Sequence, residues 1–278
     1  MIVNIYRLNL PVADSVTGKE VRLISSSRWD LQPRYSPDGN RIAFTWLRSG
    51  ISAIWTSAGD GSNPVQLTSL GDQTGDPRWA PDGKSIAFGS DAEGQFDVYV
   101  VDAEGGAPRR LTSDPSGGML PSWSRDGEWI YFWSNRNGLA QIFKMPAGGG
   151  PAQVVTAGQG RTMESPDGQW FYFERGANHS VWRMPVGGGG EEDAEQVLEP
   201  LPEAIYDVVE DGVYFVPPAE GDDYSLQFLR FATGAVELIH DFERRPDGIL
   251  RVAPDGRSIL FGQLEPLEGD IMLVENFR

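Results

Sequence analysis

The chain has 278 residues, no cysteine, two histidines and a net charge of −17, with 40% hydrophobic and 11% aromatic residues. That composition suits a sizeable buried core and excludes disulfides, zinc–thiolate sites, cysteine nucleophiles and a multi-histidine metal centre. The excess negative charge repels nucleic acid and anionic membrane surfaces, and no apolar run is long enough to span a bilayer.

The first segment, MIVNIYRLNL, lacks the charged region and cleavage site of a secretory leader. NIYRLNLP, from Asn4, reads as one strand and KEVRLISS, from Lys19, as another. A tight hairpin follows, SPDGNRIAF from Ser36 to Phe44, and it returns 44 positions later as APDGKSIAF from Ala80 to Phe88. Aspartate–glycine pairs leading into an apolar strand start at Asp38, Asp82, Asp126, Asp167, Asp211 and Asp255, at spacings of 44, 44, 41, 44 and 44. Such a period is read before anything else, because it decides the architecture.

Each unit holds more than its hairpin. The second runs PRWAPDG, KSIAFGS, FDVYVVDAEGG and PRRLTS: four stretches rich in β-branched and aromatic residues, divided by turn residues. Four short strands in about 44 residues, with no helical period, predict a propeller blade. The expected fold is an all-β, six-bladed propeller with four antiparallel strands per blade, in a single domain over 1–278. The blades fall at about 33–69, 77–113, 121–156, 161–198, 205–240 and 249–278, the ring being closed by 19–25. In each Pro-Asp-Gly turn, proline presets φ, aspartate bonds back to the backbone and glycine accepts a positive φ. Two look-alikes fail: Gly83 to Ser85 ends like a phosphate loop but Arg78 stands where its first glycine is required, and the run Gly187 to Gly190 is a connector between strands.

Tyr35-Ser36-Pro37-Asp38-Gly39, followed by RIAF, IW and VQLTS, resembles the WD-like repeat of TolB-type propellers. The pattern recurs nearly complete in the first three units. Glu164 replaces its tryptophan in the fourth, the fifth loses the proline, and the sixth returns to pattern. The resemblance implies a six-bladed ring and a role in protein–protein contact. It also implies, as further settings, the sensory or scaffolding half of a bacterial regulator and the gate domain of a prolyl-oligopeptidase-like hydrolase. Following TolB, the compartment would be periplasmic; otherwise it would be cytoplasmic. In the last unit, DIMLVENFR (270–278) is expected as third strand and KEVRLISS as the fourth. NIYRLNLP, which reads like the third strands QIFKMPAG and VWRMPVG, is then surplus. It adds at a blade edge, stays loose, or marks the chain as an excerpt of a longer array.

Aligned on the hairpin aspartate, the position four residues earlier is Arg34, Arg78, Ser122, Met163, Asp207 and Arg251. The arginines fall on neighbouring blades of a closed ring, near the channel mouth, where they would clamp a carboxylate or phosphate. The competing reading pairs them with Asp30, Asp76 and Asp207. Tyr35, Trp79 and Trp123 suit packing between blades, whereas Trp29, Trp46 and Tyr206 are the expected loop-face contacts. The loops opposite the Pro-Asp-Gly turns hold 19 acidic and 7 basic residues, which would steer a basic partner or form a solvated rim. Calcium ligands are sought in Asp91, Glu93 and Asp97, or in Glu220, Asp222 and Asp223, but neither run has a ligand-loop spacing.

No G-x-S-x-G elbow occurs, and His179 and His240 lie on different blades. The expected function is a non-catalytic, monomeric module that binds a protein or peptide without nucleic acid, membrane or dedicated cofactor. The alternatives are a scaffold fragment or engineered propeller with no ligand of its own, and a sensory or gate domain. A binding module would expose Trp46 or Tyr206 beside the charged loops; a bare scaffold would show a uniformly polar rim.

Overall fold

A computed structural model describes residues 1–10, 18–26, 28–48, 50–71, 73–176, 178–187, 191–201, 204–219 and 221–266, and the structural statements below concern these residues. The Pro-Asp-Gly hairpin forms as the sequence predicts. Gly39 donates its N–H to the Ser36 carbonyl at 2.8 Å, and Asn40 donates to Asp38 Oδ1 at 3.1 Å. Gly39, Gly83, Gly127, Gly168 and Gly256 all take φ near +70°, the left-handed conformation that costs glycine nothing. The fifth Asp-Gly pair departs from this pattern. Its hairpin loop is Glu210-Asp211, and Gly212 is already in strand, where a Cβ would lie 2.2 Å from the Leu229 carbonyl. Close packing, not turn conformation, requires that glycine.

Twenty-four strands follow. β1 (Ile2–Asn9) and β2 (Glu20–Ile24) come first in the chain but join its last sheet. The first unit is β3 (Trp29–Tyr35), β4 (Arg41–Arg48), β5 (Ile51–Ala58) and β6 (Val65–Gln66). The second is β7 (Thr74–Trp79), β8 (Ser85–Ser90), β9 (Asp97–Asp102) and β10 (Arg109–Arg110). The third is β11 (Met119–Trp123), β12 (Trp129–Ser134), β13 (Gln141–Pro146) and β14 (Gln153–Ala157). The fourth is β15 (Gln159–Glu164), β16 (Trp170–Arg175), β17 (Ser180–Pro185) and β18 (Glu195–Leu198). The fifth is β19 (Tyr206–Val209), β20 (Gly212–Phe215), β21 (Ser225–Arg230) and β22 (Val236–Asp241). β23 (Pro246–Val252) and β24 (Ser258–Glu265) complete the described chain. Within each unit the strands pair antiparallel in sequence order.

The strand expected to be surplus has a place. β1 pairs antiparallel with β24 along its whole length, from Ile2↔Glu265 to Asn9↔Ser258, and β2 pairs with β1. Ile2–Asn9 therefore occupies the third position expected for 270–278, which lies outside the described residues. Within KEVRLISS, Glu20–Ile24 pairs with β1 on the side away from β24. The reason is chemical. Val3, Ile5 and Leu8 are fully or almost fully buried, and Asn4 and Tyr6 both donate to the Glu265 carboxylate. A single parallel bridge, Val3↔Trp29, links this sheet to the first unit, making eight strands continuous.

The core lies between sheets. Ala43 and Ile54 of the first unit pack with Ile86, Phe88, Tyr99 and Val101 of the second. Ile5, Ile24 and Leu260 pack in the same way against Ile42, Phe44 and Trp46. Each sheet buries both faces, so large apolar side chains point both ways along the middle strands. Polar staples join the inner strands as well. The Trp79 indole N–H donates to the Arg34 carbonyl at 3.1 Å, and Trp123 donates to the Arg78 carbonyl at 3.0 Å. Glu164, which replaces the third tryptophan, accepts from Arg125 N and from the Tyr131 hydroxyl, both at 2.7 Å.

Candidate functional site

The six inner strands, β3, β7, β11, β15, β19 and β23, each contribute to one cavity of about 890 Å³. It opens beside the Pro-Asp-Gly turns, between Pro37, Pro81, Pro166 and Pro254, and its floor holds Arg34, Arg78, Arg251, Asp207, Ser122 and Thr162. The structure thus brings together all four residues predicted for the channel mouth. It places the arginines near the end of their inner strands, not at the start that the expected blade bounds imply. Inner strands start earlier than expected, β3 at Trp29 and not at 33, so Arg34 lies near the end of its strand, on the turn side.

The earlier start comes with a bulge. Pairing slips between Leu31 and Arg34, Gly75 and Arg78, Met119 and Ser122, Gln159 and Thr162, and Asp247 and Leu250. A residue with positive φ accompanies each: Gln32, Asp76, Leu120, Gly160 and Gly248. An extra residue re-aims the side chains after it. Gln32 secures the next unit's bulge, its Oε1 accepting from Thr45 Oγ1 at 2.8 Å and from Asp76 N at 2.7 Å.

That bulge sets the Asp76 carboxylate between two arginines, with Oδ1 3.4 Å from Arg78 Nη2 and 3.7 Å from Arg34 Nη2. Arg34 is 5% exposed and Arg78 8%. The Nε and Nη2 groups of both have no hydrogen-bond acceptor among the described residues. Burial pulls the Arg78 guanidinium below its ordinary range; Asp76 opposes this and Arg161 adds to it. Arg251 is better satisfied. Its Nη1 donates to Asp207 Oδ1 (3.1 Å), Tyr206 O (2.8 Å) and Leu250 O (2.6 Å), while Asp207 Oδ2 accepts from Val252 N (2.8 Å). Burial works against both charges of this pair, raising Asp207 and lowering Arg251. The pairing of arginines with Asp76 and Asp207 is therefore present, and Asp30 accepts from Ser26 Oγ at 3.2 Å.

Sequence reasoning missed two further charges. Arg161 Nη1 reaches the Gly248 carbonyl at 3.4 Å, and Arg161 N donates to Glu174 Oε1 at 3.3 Å. Glu174 is raised by burial, against the pull of His179, whose Nδ1 lies 2.7 Å from its Oε2. The signal available was Gly160, two before Thr162, where a Cβ would collide with the Glu174 carboxylate.

Of the aromatic contacts, only Trp29 is exposed, at 41%. Trp46 is buried, because β4 runs on to Arg48 and turns the indole onto Trp55, with ring centroids 4.4 Å apart. Tyr206 is buried because it opens β19 and points inward with Val208 against Tyr172 and Val181. The acidic loop face also shrinks: Asp30, Asp76, Glu174 and Glu265 are buried, as a consequence of the longer inner and middle strands. Asp97 is fully buried, accepting from Arg110 Nη2 (2.5 Å) and Thr112 Oγ1 (2.7 Å), while Asp91 accepts from Gln73 N (2.8 Å). Those two carboxylates therefore do not converge on one point. Glu220 of the second run lies outside the described residues, and no group of three or more metal-ligating side chains stands together among those described. His240 Nε2 lies 2.8 Å from Glu20 Oε1, and neither histidine bonds a serine hydroxyl among the described residues. No helix is long and apolar enough to cross a membrane.

Several solved structures share this arrangement. A protein from Agrobacterium tumefaciens assigned to TolB superposes with a TM-score of 0.73 at 22% identity, over 95% of this chain and 98% of that one. TolB from Acinetobacter baumannii gives 0.65 at 21%, over 95% of this chain and 64% of that one. A chain of a nidogen/laminin complex gives 0.65 at 9%, over 94% and 98%. At these identities the likeness is one of fold. The sequence adds the family: residues 3–192 match the TolB beta propeller domain, and the chain belongs to that family.

Proposed function

We propose that this chain is a non-catalytic protein- or peptide-binding module, a six-bladed propeller closed by β1 and β2, acting as a monomer through the channel mouth on its turn side. Propellers of this family serve generally as protein-interaction scaffolds, which supports the broad reading. The observation that carries the specific one is the cavity floor, where the Nε groups of two buried arginines meet no acceptor among the described residues and their Nη2 groups share the single Asp76 carboxylate without a hydrogen bond. An unmatched buried donor costs about 1–3 kcal/mol, so a floor of this kind suits a partner that supplies the acceptors. Closure is supported by the β1–β24 ladder and by the shared core of Ile5, Leu260, Ile42 and Phe44.

Panning a random peptide-display library against the immobilised full chain tests this. Selected peptides should compete for one site and weaken on a Glu210→Lys, Asp255→Lys double variant at the turn-side lip. Asp222→Lys, outside that cavity, should leave them unchanged. A library with no saturable binder overturns the reading in favour of the bare scaffold. The burial of Trp46 and Tyr206, which leaves Trp29 as the one exposed aromatic of the three expected on the loop face, is what favours this second reading.

A further inference from the structure

The floor of the cavity is short of counter-charge. Arg34, Arg78 and Arg251 line the cavity floor with Asp207. Asp76 sits against the first two arginines. Arg34 and Arg78 thus share one carboxylate between two guanidiniums. Removing a charge from water without a counter-charge is costly, so the site favours one monovalent anion. The Nε groups of these two adjacent guanidiniums have no acceptor among the described residues and their Nη2 groups meet Asp76 only at ion-pair distance, so both offer donors whose planar geometry suits a carboxylate.

The lip carries the opposite sign. Glu210, Asp211 and Asp255 are exposed at the edge of the same cavity, with Glu164 and one exposed arginine, Arg125, also lining it. A phosphate ester or other polyanion must pass this ring, whereas a ligand that is negative only at its tip and positive behind it is attracted at both levels. The cavity, about 890 Å³, lies within the range of roughly 300–1,000 Å³ typical of sites that enclose an organic ligand. Its walls are apolar where the turn prolines, Val208 and Val252 line it.

We propose that the turn-side cavity binds the free C-terminus of a peptide, its α-carboxylate on Arg34 and Arg78 and a lysine or arginine just upstream against Glu210 and Asp255. The inference rests on the peptide-binding reading above and narrows it to a chain end with a defined charge order.

The test uses the full chain and synthetic hexapeptide libraries made in two forms, free acid and carboxamide, with binding read by affinity selection and by the shift in melting temperature. Free-acid peptides should be retained with lysine or arginine enriched upstream, and amidation should weaken each by about tenfold or more. Arg78→Gln should remove the discrimination between acid and amide. Because that substitution touches a buried group, the exposed Glu210→Lys, Asp255→Lys variant provides an independent readout: it should abolish the upstream basic preference while acid still beats amide. Acetate and inorganic phosphate form the control arms. If either raises the melting temperature as much as the best peptide, the site takes a small ion and the proposal falls. If acids and amides bind alike, the carboxylate assignment falls while the peptide-binding reading stands; if no peptide binds, both fall.

Discussion

The first three units and the seam between the last unit and the N-terminus hold their strands together by different chemistry. Between the early units the polar contact is an indole N–H on a backbone carbonyl, Trp79 on Arg34 and Trp123 on Arg78, repeated with the sequence period. At the seam the contacts are carboxylates with several donors. Glu265 takes Asn4 and Tyr6, and Glu20 takes Gln263 at 2.9 Å with His240 at 2.8 Å. Burial and the Glu265 carboxylate raise the Tyr6 phenol to about 12, so it remains a donor at any physiological pH. A repeated interface can rely on neutral groups that come with every copy. A seam that must join two distant segments once, in one register, uses charge-assisted bonds that no other pairing would satisfy.

The most severe way to break this contrast is to delete residues 1–25. That strips β24 of eight partners and exposes a long strand edge, so the protein should aggregate and lose its cooperative melt. A monomeric truncate with an unchanged melting temperature would show that β1 and β2 are not the latch. Next is Asp207→Ala, which leaves Arg251 buried without its carboxylate. Urea unfolding should register a loss of about 3–5 kcal/mol, a large share of a domain's total stability. A loss under about 1 kcal/mol would mean that the carbonyls of Tyr206 and Leu250 suffice for the arginine.

Trp79→Phe keeps an aromatic ring and deletes the staple, and should cost about 1–3 kcal/mol. Trp123→Phe should match it closely, since its geometry repeats; unequal losses would show that these interfaces are not equivalent. Gly83→Ala places a side chain at φ +71° with its nearest neighbour at 3.7 Å, so it tests conformational strain alone and should cost about 1 kcal/mol. The smallest effect concerns acid. Hydrogen bonds from His240 and Gln263 hold Glu20 below its ordinary 4.5 despite partial burial. A depressed carboxylate stabilises the fold above its unfolded value and loses that contribution as pH falls through the folded one. Melting temperature should therefore fall more steeply below pH 4.5 in the parent than in Glu20→Gln. Parallel acid limbs would exclude Glu20 as a contributor.

What could be read from the chain follows the range of the interaction. The Pro-Asp-Gly hairpins, the short strands and the packing tryptophans are local or periodic, and they form where the repeat predicts. The cluster of Arg34, Arg78 and Arg251 was also legible, because one alignment column lines one cavity. Their place along the strands was not, since the bulges at Gln32 and Asp76 depend on backbone conformations that no residue type dictates. Trp46 was misplaced by a strand running two residues further, and Tyr206 by the start of β19. The third strand of the last sheet was the hardest, because its partner lies 261 positions away, as Asn4 and Glu265 show.

The same separation sets the order of events in folding. β1 leaves the ribosome well before its partner β24, so a ready strand must wait unpaired while five four-stranded units form from contiguous sequence. Non-local pairing of this kind raises contact order and slows the final step. A circular permutant beginning at Pro246 would draw every sheet from adjacent chain, and its refolding should be faster than the parent's while the native contacts stay the same.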